Sequence, residues 1–288
     1  AAPVLNNSGT LTKASGAGAF TLSNIIVNNS NTMDIASGSL AFSSSQFHNR
    51  GTLNLGNGTV SFAASTGTNY GALNLGANSF AYFNAGSTYT LDGAITSPTG
   101  DHVRVQGATV TLITTNLATP SLLIASGILN QATNVGVNTI NHNTGTWQLN
   151  VPVAINNYNL TYGELRGANV TITNFNWLGG SLNSDALGNT VTVPNGGTLN
   201  ITSATAKALS AYVGNGRTLL NNGTATWSGA SITGYYGPQL VNNGALTVNG
   251  DFSYAWGGVG AAPVLNNSGT LTKASGAGSF TLSSVIFN

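Results

Sequence analysis

Gly51-Thr52-Leu53-Asn54-Leu55 recurs as Gly71-Ala72-Leu73-Asn74-Leu75, and Asn31-Thr32-Met33-Asp34-Ile35 stands one equal step before it. The step is about 20 residues, within the range of periods that solenoid repeats show. In each segment a turn residue precedes a strict alternation of apolar and polar side chains. Such alternation is typical of a short strand with one buried face. A strand this short buries that face only when equivalent strands stack on it, so the repeat predicts stacked coils.

A second series, made of Gly18–Leu22, Gly38–Phe42, Gly58–Phe62 and Asn78–Tyr82, keeps the same step from each member to the next. Between Gly127 and Asn200 the step is shorter, as from Gly145 to Gly163 and on to Gly180. The pattern predicts an all-β fold, a right-handed parallel β-helix (β-solenoid) with coils of about 17–25 residues, since parallel crossovers favour the right hand.

The same alignment gives predictions for individual positions. It places Trp147, Phe62 and Phe80 on the inward face of their strands, in the core. Asp92–Gln106 and Ser203–Gly216 break the spacing, and within the second stretch residues 204–212 are expected to form a short helix or a loop outside the rod.

A longer repeat encloses the short one. Ala1–Asn28 returns as Ala261–Asn288 with four changes, Ala19→Ser, Asn24→Ser, Ile25→Val and Val27→Phe. We therefore predict that residues 1–260 form one β-solenoid unit and that residues 261–288 begin the next tandem copy. At ~4.8 Å per coil, such a unit would hold roughly 13 coils in a rod about 60 Å long.

Composition narrows the function. Charged residues make up 5% of the chain and the net charge is +1, so no basic surface for nucleic acid is expected. No apolar run approaches the ~20 residues that cross a bilayer, which predicts no membrane span. The chain has no cysteine, which excludes disulfides, thiolate zinc sites and thiol nucleophiles.

Acidic residues number six, few for an enzyme that cleaves glycosidic bonds with paired carboxylates. Glu164 aligns with Thr146, Ser181 and Thr198 on an outward face, so we expect no acidic neighbour on adjacent coils. Its expected partner is Arg166 on the same strand, in a surface ion pair.

The densest ionisable cluster is Asp101-His102-Val103-Arg104. Alternation predicts Asp101 and Val103 on one face, with His102 and Arg104 on the other, in a solvated loop. His48 and His142 are each flanked by Asn and are interpreted as turn residues rather than metal ligands. No catalytic, cofactor or metal site is predicted.

Two residue types suggest contacts. The asparagine pairs at 6–7, 28–29, 221–222, 242–243 and 266–267 are predicted to stack in hydrogen-bonded ladders along the rod. Tyr235, Tyr236, Tyr254 and Trp256 form either packing contacts or a surface that stacks sugars or meets a neighbouring rod.

The run Val4-Leu5-Asn6-Asn7-Ser8-Gly9-Thr10-Leu11, echoed at 220–224 and 241–246, resembles the coils of filamentous haemagglutinin-type adhesins and autotransporter passenger domains. The resemblance implies a secreted bacterial rod at the cell surface. Our hypothesis is a non-catalytic structural protein, a fibre, sheath or adhesin stalk, whose partners are copies of itself, end to end or side by side, and cell-surface glycans. The alternative is a polysaccharide-binding or polysaccharide-degrading β-helix protein.

Overall fold

The computed structural model describes residues 1–98, 100–118, 121–185, 189–212, 214 and 216–288. These residues contain no helix, and their strands stack in parallel as a β-solenoid, which confirms the predicted fold class. The chain divides into two compact units, residues 1–141 and 142–288. In the described residues the two units together hold about 13 turns.

Unit 1 is built from short strands. They are β1 (Val4–Asn7), β2 (Thr10–Lys13), β3 (Ala19–Ser23), β4 (Ile26–Asn29), β5 (Thr32–Ile35), β6 (Ser39–Ser43), β7 (Gln46–Asn49), β8 (Thr52–Leu55), β9 (Thr59–Ala63), β10 (Thr66–Asn69), β11 (Ala72–Leu75), β12 (Phe80–Asn84), β13 (Thr88–Leu91), β14 (Ile95–Thr96), β15 (Val103–Leu112), β16 (Leu117–Ala118) and β17 (Ser121–Gln131). β18 (Thr139–His142) includes the boundary between the units.

Unit 2 continues with strands of the same kind. They are β19 (Thr146–Leu149), β20 (Val153–Leu160), β21 (Glu164–Gly167), β22 (Val170–Trp177), β23 (Gly180–Ser184), β24 (Thr190–Val193), β25 (Thr198–Ile201), β26 (Lys207–Ala211), β27 (Thr218–Asn221), β28 (Thr224–Trp227), β29 (Ile232–Gly234), β30 (Gln239–Asn242), β31 (Ala245–Asn249), β32 (Ser253–Trp256), β33 (Val264–Asn267), β34 (Thr270–Ser275), β35 (Thr281–Ser283) and β36 (Ile286–Phe287).

Each strand pairs with the strand one coil away, so equivalent residues form columns. In unit 1, Leu53 lies over Met33 and under Leu73, and the step between paired residues stays nearly constant. Coil length varies more in unit 2. There Ala154 pairs with Thr171, a short coil, whereas Val191 pairs with Leu219, a much longer one. The longest coils therefore exceed the predicted range.

Aromatic rings fill part of the core of each unit. Phe42, Phe62 and Phe83 stack in unit 1 at centroid distances of 5.2 and 5.1 Å. In unit 2, Trp147 and Tyr158 are fully buried with centroids 5.2 Å apart. The inward placement predicted for Phe62 and Trp147 is confirmed, and stacked rings contribute beyond their buried area.

Phe80 departs from the prediction. The register pairs Phe80 with Thr59 and Phe83 with Phe62, so this step is one residue longer than the step from Ser39 to Thr59 on the coil before. Because side chains alternate with a period of two, a slip of one residue turns the strand over. Phe80 and Tyr82 therefore point outward, whereas Ala81 and Phe83 are buried.

Residues 204–212 also differ from the prediction. Lys207–Ala211 is strand β26, which pairs with β23 and β29 inside the solenoid of unit 2. The Lys207 side chain is buried, and its ammonium donates hydrogen bonds to the carbonyls of Ser203 and Thr205 at 3.1 and 3.0 Å. The prediction of a helix or an external loop is wrong. It failed because Lys207 stands at an inward strand position, where alternation leads one to expect an apolar residue.

The predicted asparagine ladders are present. In unit 1, Asn7, Asn29, Asn49 and Asn69 occupy successive coils, and each Nδ2 donates to the Oδ1 of the next asparagine at 2.6 to 2.7 Å. Asn49 also donates to the carbonyl of Ala72 at 3.1 Å. An amide at this position satisfies buried carbonyls at the corner that an apolar residue would leave unpaired.

Asn49→Ala is expected to lower the free energy of unfolding by about 2 kcal/mol, because each buried group left unpaired costs roughly 1–3 kcal/mol. Asn49 is fully buried, and both of its neighbours in the ladder lose a partner. Urea unfolding of the variant measures the change. Asn54→Ala is the matched control, since Asn54 belongs to a half-buried outward ladder with Asp34 and Asn74. Equal losses would contradict the prediction.

Candidate functional site

A polar cluster on the outward face of unit 2 is the most developed candidate site. We name it the Glu164 cluster, and its members are Gln148, Glu164, Arg166, Asn183, Asp185 and Tyr212. β19, β21 and β23 place the first four side chains on consecutive coils, because Thr146 pairs with Glu164 and Glu164 with Ser181. Ala208, not Thr198, lies on the next coil.

The ion pair of the cluster is not the predicted one. Arg166 Nε donates to Asp185 Oδ1 at 2.6 Å, and Gln148 Nε2 donates to Asp185 Oδ2 at 2.8 Å. Glu164 instead accepts a hydrogen bond from Asn183 Nδ2 at 2.5 Å. Asp185 directly follows β23, outside the repeat pattern, so column alignment could not identify it as the partner of Arg166.

The electrostatics of the cluster follow from these contacts. Partial burial acts to lower the pKa of Arg166, but the hydrogen bond and charge of Asp185, together with Glu164, outweigh it and raise the pKa. A hydrogen bond with Glu164 raises the pKa of the Tyr212 phenol. A phenol with a raised pKa stays protonated near neutral pH, so Tyr212 can donate a hydrogen bond but is a poor general base.

Tyr212 gives the cluster an exposed aromatic surface. Its side chain is 53% exposed, and the Arg166 guanidinium lies 4.4 Å from its ring centroid. Rings combined with planar hydrogen-bonding groups are suited to polar, ring-shaped ligands such as sugars. The cluster thus presents an exposed ring next to a guanidinium and two carboxylates.

The predicted faces of the Asp101 cluster in unit 1 are wrong. His102 and Val103 are both buried, because β15 begins only at Val103 and the preceding residue turns inward. His102 Nδ1 lies 2.6 Å from the Ser79 carbonyl, and its ring stacks on Phe80 at 5.3 Å. The segment is therefore not a solvated loop at this histidine.

Asp101 and Arg104 lie together at the surface of unit 1. Arg104 Nε donates to the Asp101 carbonyl at 2.8 Å, and its guanidinium lies 4.2 Å from the Phe80 centroid. The Asp101 carboxylate accepts hydrogen bonds from Ser121 and Asn141. These contacts pair the carboxylate with neutral donors, an arrangement that stabilises the turn.

The two remaining histidines lie in strands rather than turns. His48 is a half-buried member of β7 that pairs with Asn28 and Thr68. His142 is fully buried, with Nδ1 2.9 Å from the Tyr158 hydroxyl and Nε2 3.1 Å from the Gly145 carbonyl. A neutral ring that donates from Nε2 and accepts at Nδ1 satisfies both contacts. Gly163 packs against this ring, where any Cβ would lie about 2.1 Å from Nε2.

Stability is expected to fall on acidification because of His142. Burial lowers the pKa of His142 to about 4, against ~6.5 in the unfolded chain. Below pH 6.5 His142 is therefore protonated in the unfolded state, whereas in the folded state it stays neutral until about pH 4. The contribution of His142 to the free energy of unfolding is fully present above pH 6.5 and decreases by about 3 kcal/mol as the pH falls to 4.

Urea unfolding of the parent and of His142→Gln between pH 4 and 7.5 checks this expectation. Gln keeps hydrogen-bonding capacity and cannot titrate, so the variant should lose most of the slope. His48→Gln, which changes a half-buried histidine in unit 1, is the matched control. An unchanged slope in His142→Gln would refute the assignment.

The four aromatic residues predicted as a contact surface have different environments. Tyr254 is fully buried, and its hydroxyl donates to the Pro238 carbonyl at 3.3 Å. Trp256 is exposed, whereas Tyr235 and Tyr236 are half-buried. The rings of Tyr235 and Tyr236 lie close to Gly257 and Gly260, where a Cβ would approach ring atoms to 2.0 and 2.7 Å. Tyr254 thus has a packing position, and Trp256 is the most accessible of the four.

Among the described residues, no group of three or more His, Cys, Asp or Glu side chains could hold a metal ion. In the same ranges, no helix has the length and apolar character needed to cross a membrane. Compared with known protein families, curated proteins and solved structures, the chain matches none of them.

Proposed function

We propose that this chain is a structural protein of the cell exterior, a segment of a fibre, sheath or adhesin stalk without catalytic activity. The observation that carries the proposal is the stacking of equivalent side chains, such as the ladder from Asn7 to Asn69, through successive coils of a solenoid. Such a stack gains stability with every added coil. It is suited to bearing load along its axis.

The surface chemistry supports the same role. With 5% charged residues, neutral Thr, Ser and Asn faces can pack side by side with little electrostatic repulsion. The sequence resemblance to filamentous haemagglutinin-type adhesins and autotransporter passenger domains agrees with secretion to a bacterial surface. The carboxylates of the Glu164 cluster accept hydrogen bonds from side chains of neighbouring coils, Glu164 from Asn183 and Asp185 from Arg166, which suits a role in holding the stack together.

Negative-stain electron microscopy of the native material tests the proposal. We expect long filaments of uniform width that bind antibody raised against this chain along their length. Discrete particles that reduce the viscosity of a polysaccharide solution would overturn it in favour of the degrading enzyme.

A second candidate function is glycan binding at the Glu164 cluster, favoured by the exposed Tyr212 ring beside Arg166 and two carboxylates. We expect Tyr212→Ala to reduce retention on immobilised cell-surface polysaccharide about two- to tenfold, since an aromatic stacking contact contributes about 0.5–1.5 kcal/mol beyond its buried area. Tyr70→Ala is the matched control, because Tyr70 is also exposed beside an arginine, Arg50, at 5.4 Å. Equal retention by both variants would exclude this site.

A further inference from the structure

The segment Ala1–Asn28 and its near-copy Ala261–Asn288 occupy two different environments, and together these define both faces of one coil. We name this sequence the joint segment. We propose that it connects successive copies of the unit 1–260 in a single fixed register, with the next copy of this chain as the partner. The inference rests on the proposed function as a tandem rod.

The lower face of the joint segment is defined in unit 2. There β33, β34 and β35 pair with β30, β31 and β32, so the segment lies directly on the preceding coil. Lys273 Nζ forms an ion pair with Asp251 at 2.9 Å, and the Phe280 ring packs edge-on against Trp227 at 5.4 Å. The equivalent residues in the first copy are Lys13 and Phe20.

The upper face is defined in unit 1. There β1, β2 and β3 pair with β4, β5 and β6, so the same sequence carries the following coil. Val27, near the end of the joint segment, pairs with Phe47 of β7 and is fully buried. At the other copy, the equivalent Phe287 is 54% exposed in this chain. One copy therefore shows the contacts of the joint segment with the coil before it, and the other copy shows its contacts with the coil after it.

The asparagine ladders have the polarity that such a joint needs. In unit 2, Asn221 donates to Asn242 at 2.8 Å, and Asn242 donates to Asn267 at 2.7 Å. In unit 1, Asn7 donates to Asn29 at 2.7 Å. Asn267 and Asn7 are the same position of the joint segment. A joint in this register joins the two ladders into one, from Asn221 of one copy to Asn69 of the next. Along it every Nδ2 donates to the asparagine of the following coil.

Burial responds to the covering coil. Leu265 is fully buried on β30, whereas its counterpart Leu5 is only half-buried. Phe20 is 44% exposed beside an open apolar recess of about 260 Å³ that is lined by Leu11, Met33 and Leu40. A preceding coil with the sequence of β30–β32 would cover Phe20 and this recess.

A doubled chain tests the joint, and the natural absence of cysteine makes one engineered thiol the readout. Residues 1–288 are followed directly by residues 29–288, and Phe287→Cys is introduced only at the internal joint. We expect its reaction with DTNB to be at least about 100-fold slower than in the single chain carrying Phe287→Cys, because interior coils open far less often than terminal ones. In the matched control, the doubled chain carries the cysteine at its final joint segment, where it should react as fast as in the single chain.

Equal rates at the internal and final positions would overturn the joint. If native material forms filaments but the internal thiol of the doubled chain is reactive, the joint is rejected and the fibre is retained. If native material consists of discrete particles but the internal thiol is protected, the fibre is rejected and the joint is retained.

Discussion

Arg217→Ala is expected to lower the free energy of unfolding by about 4 kcal/mol, among the largest losses for any single substitution in this chain. The Arg217 side chain is fully buried in unit 2. Its Nη1 donates to the carbonyls of Gly167 and Asn183 at 3.0 and 2.7 Å, and its Nη2 donates to the Ala168 carbonyl at 2.6 Å. Truncation removes all three donors and leaves the carbonyls buried without them.

Arg217 keeps its positive charge although it is buried. Burial lowers its pKa to about 10, so the guanidinium is still protonated at neutral pH. The charge of Asp185 acts to raise this pKa and partly offsets the cost of burial. Arg217→Lys is expected to recover only part of the lost stability, because an ammonium cannot reproduce the planar fork that reaches three carbonyls.

Thermal and urea unfolding of Arg217→Ala measure the loss. Arg166→Ala provides the matched control, since Arg166 is a partly exposed arginine whose ion pair with Asp185 is expected to contribute about 1 kcal/mol or less. If both arginine variants unfolded at the same denaturant concentration, the hydrogen bonds of Arg217 could not contribute about 4 kcal/mol to the free energy of unfolding. Circular dichroism at low denaturant verifies that each variant retains its strands.

The sequence was sufficient to predict the fold because a single physical rule dominates it. Where a coil keeps the regular step, as from Leu53 to Leu73, alternation identifies the buried side chain directly. The asparagine ladder was predictable for the same reason, since Asn29 and Asn49 repeat at the same step beside a strand. The repeat period alone is therefore enough to predict which identical residues stack on each other.

Prediction failed where the period changes or where a partner lies outside it. Asp185 follows β23 in an irregular segment, and no periodic rule brings it to Arg166. His102 precedes its strand, so alternation counted back from Val103 assigns it to the wrong face. Arg217 is a charge that composition places at the surface, and only the carbonyls around it account for its burial.

The slip at Phe80 gives the prediction that most directly tests the register. β12 contains Phe80, Tyr82 and Phe83, so apolar side chains occur on both of its faces and the sequence fits either phase. The structure places the extra residue in the turn before β12, where the Ser79 amide donates to the Gly76 carbonyl at 3.2 Å. Phe83 then joins the ring stack, and Phe80 lies outside it against Arg104.

Phe83→Ala is therefore expected to lower the free energy of unfolding by about 4 kcal/mol, the usual cost of removing a fully buried ring. Phe80→Ala should cost only about 1 kcal/mol, because that ring is half-buried and loses contacts with His102 and Arg104. Urea unfolding of the two variants compares nearby positions of one strand with the same chemical change. A larger loss from Phe80→Ala would mean that the unshifted register holds through β12, with Phe80 and Tyr82 inside the solenoid. Since that outcome would place Phe83 in solvent, the pair of variants separates the two registers without reference to any other part of the chain.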